Sequence, residues 1–219
     1  MQKEKISKKA LKEKAYQVIK NKIIFCEMMP GEHLSEEKLA AELGTSRTPI
    51  REAILQLERE NLVDIYPRKA MFVSQISVQD IYEIFQIRQL IEPQVAKMVC
   101  KNLSLEKLEY YRQYFSDLEH NINNFAEWIK VDREFHSYII GSTNNNHLMK
   151  MFTNILDQHL RVRVLASRIP TRVKNSTLEH TQIIDALIDH DEDRIEQMVK
   201  VHLTNSRDAA LRVEGFIHD

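Results

Sequence analysis

Glycine and proline are scarce in this chain, with four and five residues among 219. A sheet-rich fold needs many turns, so the scarcity argues for long helices joined by short links. Cysteine is scarcer still: Cys26 and Cys100 stand alone, without a CxxC spacing. That argues against a disulfide framework and suits a reducing cytoplasm, the expected location. Long apolar runs are missing, and none approaches the roughly 20 residues needed to span a bilayer. The lysine-rich start MQKEKISKKALKEKAYQ lacks the apolar core of a signal peptide. No membrane partner is expected. Net charge is also nearly absent, at −1, but it is unevenly spread. Residues 1–74 hold 14 Lys+Arg and 11 Asp+Glu, whereas the remaining 145 hold 17 and 21. A mildly basic head on an acidic body fits a nucleic-acid-binding module joined to a sensor.

What is present is helical periodicity. Leu11, Ala15, Val18, Ile19 and Ile23 share one face of a helix over 11–25, which Pro30-Gly31 ends. Ser35 starts a short second helix through Leu43, stopped by Gly44. Ser46 is placed to cap a third, running through Ile50, Ala53, Ile54 and Leu57 to about Asn61. Two helices joined at Gly44-Thr45 make a helix-turn-helix. Two β-like stretches follow, Leu62–Tyr66 and Met71–Ser74, joined at Pro67-Arg68-Lys69-Ala70, which is a wing with a basic tip. From Ser77 onward the pattern is all helix, over roughly 78–101, 104–122, 125–141, 144–167, 172–189 and 192–214. The predicted architecture is mainly α: a winged helix-turn-helix over 1–75 and an all-α antiparallel bundle over 76–219.

The third helix opens with Ser46-Arg47-Thr48-Pro49-Ile50-Arg51. In a helix-turn-helix that end of the recognition helix enters the major groove. Arg47 or Arg51 can bond bidentately to guanine, while Ser46 and Thr48 suit phosphate contacts. Arg68 and Lys69 at the wing tip are candidates for the minor groove or the backbone. Any one of these arginines alone would read as a solvated charge. The cluster, with the turn and the wing, reads as a DNA-binding face.

The stretch PGEHLSEEKLAAELGTSRTPIREAILQLERENLVDIYPRKAMFVS resembles the winged-helix signature of the GntR family of bacterial repressors, with SRTPIREAILQLERENL its most specific part. The helical remainder resembles the FCD effector domain of the FadR subfamily. Two positions depart from the pattern. Ala70 stands where the wing tip usually has glycine, so a wing contact needing positive φ is not carried over. Glu37 stands where some relatives use an arginine, and that contact is not carried over either.

Polar residues interrupt the apolar stripes of the later helices. Asp132 and His136 fall one turn apart in a stripe with Trp128, Ile129, Phe135, Ile139 and Ile140. His180 interrupts Ile183, Ile184 and Leu187, and His202 interrupts Ile195, Met198 and Val199. The turn between those two helices centres near residue 191, which sets His180 and His202 level in an antiparallel hairpin. Burying three imidazoles and a carboxylate unsatisfied would cost several kcal/mol, and a divalent cation removes that cost. The set suits tetrahedral Zn²⁺, or Ni²⁺, Mn²⁺ or Fe²⁺ with water ligands. A single buried His would more simply be a hydrogen-bonded core residue. Metal-binding members of the FCD group carry the same D-x-x-x-H followed by two spaced histidines, so the resemblance implies these four ligands. The remaining histidines, His159 among them, show no such pattern and read as surface or packing residues.

Arg88 falls within a stripe of Ile81, Ile84, Phe85, Ile91, Val95 and Met98. It is either a clamp for an effector carboxylate or an ion pair with Glu92, four residues on. The resemblance, which implicates an arginine of this helix in effector binding, favours the clamp. Arg161 and Arg163 are lesser candidates. The resulting expectation is a metal-dependent repressor that binds a palindromic operator as a homodimer and responds to a small organic acid. Two alternatives stay open: a DNA-binding protein with a purely structural metal, and a metal-dependent hydrolase. Against the last, there is no HExxH, and Glu134 should point away from Asp132.

Overall fold

The structure is a computed structural model that describes residues 8–67, 70–120, 125–166 and 170–212. The chain divides into two compact units, Met1–Ile76 and Ser77–Asp219.

The first unit holds α1 (Lys8–Ile24), α2 (Glu36–Glu42), α3 (Arg47–Arg59) and an antiparallel ribbon of β1 (Val63–Tyr66) and β2 (Ala70–Val73). Ile19 and Ile23 of α1 and Ile50, Ala53, Ile54 and Leu57 of α3 are fully excluded from water and form the core. Ser35 caps α2, its Oγ accepting from Lys38 N at 3.3 Å. Gly44, at φ +61, then turns the chain into α3. Ser46 occupies the N-cap position of α3 with extended backbone, but its hydroxyl makes no capping bond, contrary to the sequence expectation. The ribbon pairs Val63 with Val73 and Tyr66 with Ala70. Gly31 N bonds to Val73 O at 2.8 Å. Gly31 has φ +80, a left-handed conformation that favours glycine, and a Cβ there would also displace the Gln75 side-chain amide.

The second unit is all helix: α4 (Val78–Val99), α5 (Leu105–His120), α6 (Phe125–Gly141), α7 (Asn146–Ala166), α8 (Pro170–Ile188) and α9 (Glu192–Ala210), with one 3₁₀ turn at Cys100–Asn102. Ser77 and Asp80 close a reciprocal capping box at the start of α4. Asn145 Oδ1 accepts from His147 N and Leu148 N at 3.1 and 3.0 Å, which begins α7. The main packing pairs are α4 with α9, α5 with α8, α8 with α9 and α6 with α7. The mainly α architecture with a small wing is the one the periodicity predicts. One core assignment is corrected: Met98 is 65% exposed, at the solvent edge of the α4 stripe beside the buried Val95 and Val99. No helix among the described residues is long and apolar enough to cross a membrane.

Candidate DNA-reading face and candidate metal centre

Burying Ile50, Ala53, Ile54 and Leu57 turns the opposite face of α3 outward, and Thr48, Arg51, Glu52 and Leu55 are exposed along it. Ser46 and Arg47 are exposed at its N-terminus, where unbonded backbone N–H groups favour phosphate. Arg47 pairs with Glu37 Oε2 at 2.9 Å, both side chains well over half exposed. Such a pair contributes about 1 kcal/mol at most, so it does not commit the guanidinium. Arg68 and Lys69 lie outside the described residues. Ala70 is the first residue of β2 and pairs with Tyr66.

The second constellation is buried. Asp132 and His136 come from α6, His180 from α8 and His202 from α9, and none is more than 5% exposed. The His180 and His202 rings lie 4.5 Å apart, and each is 5.4 Å from the His136 ring. Phe115 stacks on His180 at 4.6 Å and fixes its plane. Glu92 Oε2 accepts from His136 Nδ1 at 2.9 Å, and Glu179 Oε2 accepts from His202 Nδ1 at 2.8 Å. With the Nδ1 proton so engaged, each of these imidazoles keeps its Nε2 lone pair for the interior. Among the described residues the three histidines each offer a ligand atom within 4.8 Å of the others.

Two of the donor spacings fit a small cation, while the set whose ligand atoms all lie within 4.8 Å of one another comprises the three histidines without Asp132. His136 Nε2 and His180 Nε2 are 3.4 Å apart, and Asp132 Oδ1 is 3.2 Å from His180 Nε2. Two tetrahedral ligands at about 2.05 Å from one ion would be roughly 3.3 Å apart. Asp132 Oδ1 is buried and accepts no hydrogen bond, an oxygen that a cation would satisfy. Asp132 Oδ2 accepts from Arg163 of α7.

Arg88 is completely buried in α4. It pairs with Glu92 and lies 2.8 Å from His159 Nε2, so the ion pair weighed against a clamp is present. Burial alone would push the Glu92 carboxyl up. The neighbouring Arg88 guanidinium, with the hydrogen bonds from His136 and Arg88, outweighs it and brings it down to about 2. A small pocket with a cavity volume of about 30 Å³ opens beside His202. Trp128, His159, Arg163, Ser176 and Ser206 line it. Arg161 is buried elsewhere on α7, bonded to Gln158 at 2.9 Å. Glu134 is exposed, as its helical position requires.

Three participants escape the sequence argument. Glu179 is adjacent to His180, and the hairpin count that levels 180 with 202 also brings 179 to the height of 203, a signal that goes unused. Glu92 is visible there only as a partner for Arg88. His159 reads as packing, yet it joins Arg88 to the pocket wall. No periodicity distinguishes it, because its neighbours Leu156, Asp157, Leu160, Arg161 and Val162 are buried too.

An exposed recognition helix with a wing, followed by a helical bundle around a polar centre, is the architecture of a winged-helix DNA-binding regulator. Residues 11–73 match the model for bacterial regulatory proteins of the gntR family, and residues 83–205 match the FCD domain. The chain belongs to the GntR family, in its FCD group, and is a DNA-binding transcription regulator. It is similar to the HTH-type transcriptional regulator YdhC of Bacillus subtilis, 26% identical over 87% of this chain and 86% of that protein. Similarity to the Nta operon transcriptional regulator of Aminobacter aminovorans is 27%, over 84% and 87%. Among solved structures, McbR/YncC of E. coli superposes with a TM-score of 0.80 at 20% identity, covering 94% of this chain and 98% of that one. The metal-free FCD domain of TM0439 gives 0.58 at 20% identity, covering 64% and 96%. These likenesses show the fold. The relatives are regulators, not enzymes.

Proposed function

We propose that this regulator binds a divalent transition metal through Asp132, His136, His180 and His202, and that a small organic acid at that centre changes its affinity for operator DNA. The observation that carries the reading is the buried His₃Asp group, whose two outer imidazole nitrogens are each held by a carboxylate. Zn²⁺ fits the 3.2 and 3.4 Å donor spacings best, with Ni²⁺, Mn²⁺ and Fe²⁺ as alternatives. The gntR-family and FCD matches, and a relative named for an operon, support regulation through DNA.

The chain's residues divide the work. Arg47 and Arg51 read base edges while Ser46 and Thr48 hold phosphates, with Arg68 and Lys69 reaching from the wing. A homodimer binding a palindrome follows from the usual geometry of helix-turn-helix operators. In the helical domain the acid enters the pocket beside His202, where Arg163, His159, Ser176 and Ser206 offer polar groups. Arg88 acts from behind that wall, through His159 and through Glu92. A cation in the His₃Asp group supplies a Lewis-acidic docking point for a carboxylate. Only a ligand with different affinities for the two DNA-binding states changes operator occupancy.

The test begins by selecting operator duplexes from a random pool. Their affinity is then measured with a panel of small carboxylic acids, for protein loaded with Zn²⁺ and protein stripped by chelator. An affinity shift that one acid produces only in the loaded protein supports the reading. A metal-loaded protein indifferent to every acid would instead mark the metal as structural.

A further inference from the structure

Three of the four groups of the His₃Asp cluster, His136, His202 and Asp132, are held from behind, but not in the same way. Glu92 holds His136, and Glu179 holds His202, each through Nδ1. For an imidazole that contact selects which nitrogen faces inward. Asp132 has a different freedom, since a carboxylate can offer a cation one oxygen or two. Arg163 takes Asp132 Oδ2. Oδ1 is left buried, accepting no hydrogen bond, 3.2 Å from His180 Nε2.

We propose that Arg163 is a positioning residue of the metal centre, which fixes Asp132 as a one-oxygen ligand through Oδ1 by holding Oδ2. The inference rests on the metal reading above. Arg163 is itself well placed to do this. Its guanidinium carbon lies 4.3 Å over the ring of Trp128, and its side chain is 13% exposed. Stacking on an aromatic face aims the planar fork, and the fork's fixed donors give the carboxylate a defined direction. Asp132 is on α6 and Arg163 on α7, so the contact also spans the α6–α7 packing.

The same guanidinium lines the pocket beside His202. An anion that bonds Arg163 there therefore acts on the metal centre through Asp132. By reciprocity, metal binding alters the affinity for that anion by the same factor. Trp128, the chain's single tryptophan, lies under Arg163 and reports on it.

The experiment measures Zn²⁺ affinity of the full chain by competition with a chromophoric chelator. The proteins are the wild type, Arg163→Ala, Arg163→Lys, Asp132→Ala and the Asp132→Ala/Arg163→Ala double variant. Arg163→Ala is expected to weaken Zn²⁺ binding about 10- to 100-fold, the usual loss for an outer partner of a metal ligand. The double variant should bind as Asp132→Ala does, because Arg163 acts through Asp132. With Co²⁺, the visible absorption band should change in Arg163→Ala, where the second oxygen is released, and return toward wild type in Arg163→Lys. Zn²⁺ should alter Trp128 emission in the wild type, and by less in Arg163→Ala at saturating metal. Should the alanine variant fail to fold, the lysine variant and its Co²⁺ band decide. Unchanged Zn²⁺ affinity with an unchanged Co²⁺ band would overturn the positioning role and leave the metal site standing, as would losses that add in full. A wild type that binds no Zn²⁺ would remove both.

Discussion

In the N-terminal unit the side chains with chemistry to offer lie outside an apolar core; in the helical unit they are buried within one. Ser46, Arg47, Thr48 and Arg51 are exposed, and the α3 residues beneath them, Ile50, Ala53, Ile54 and Leu57, are wholly apolar. Asp132, His136, His180, His202 and Arg88 are buried and take positions that an ordinary bundle gives to leucine or isoleucine. The difference separates the effects of mutation. In the first unit the proposed DNA contacts and the packing core are different residues, whereas in the second the proposed metal ligands are themselves buried in the core.

The largest effect expected from this contrast is in the second unit. His180→Ala with His202→Ala should abolish metal binding and lower the thermal midpoint of the loaded protein, because bound metal contributes directly to folding. Metal content and a melting curve check this together, and an unchanged metal content removes both histidines as ligands. Next is Ile54→Ala, which should cost about 2–5 kcal/mol of stability by opening a cavity under α3. Denaturant unfolding measures it, and the metal content should not change.

Arg51→Ala is the inverse case. Operator binding should weaken by about 1–3 kcal/mol for a lost bidentate base contact, with folding stability within about 0.5 kcal/mol of wild type. Retained wild-type affinity in a binding titration would break the assignment. The smallest effect separates two serines. Ser35→Ala should cost about 1 kcal/mol, since its hydroxyl caps α2, whereas Ser46→Ala should be nearly neutral in stability and reduce only DNA affinity. Equal losses of stability at the two positions would contradict the described cap geometry.

Most of the architecture is legible in the sequence because its signals are local. Gly44, Ser35, the 3.6-residue stripes and the Pro67–Ala70 link mark element ends, and α6 runs over the residues its pattern indicates. The level placement of His180 and His202 is legible too, since a three-residue turn leaves an antiparallel hairpin little freedom. What stays hidden depends on packing between elements distant in sequence. Glu92 lies 44 residues from His136, and Arg163 lies 31 from Asp132. The lateral placement of α4 and α7 against α6 decides those contacts, and no spacing rule encodes it. Met98 is misjudged for a related reason: with Val95 and Val99 buried beside it, one residue's rotation about α4 moves a side chain from core to solvent.

The most direct test of the central claim is the metal content of purified wild-type protein beside Asp132→Ala. The account predicts about one equivalent of a transition metal in the wild type and its loss in the variant. Equal metal in both, or none in either after incubation with Zn²⁺ or Ni²⁺, would contradict the buried His₃Asp centre while leaving the DNA-reading face untouched.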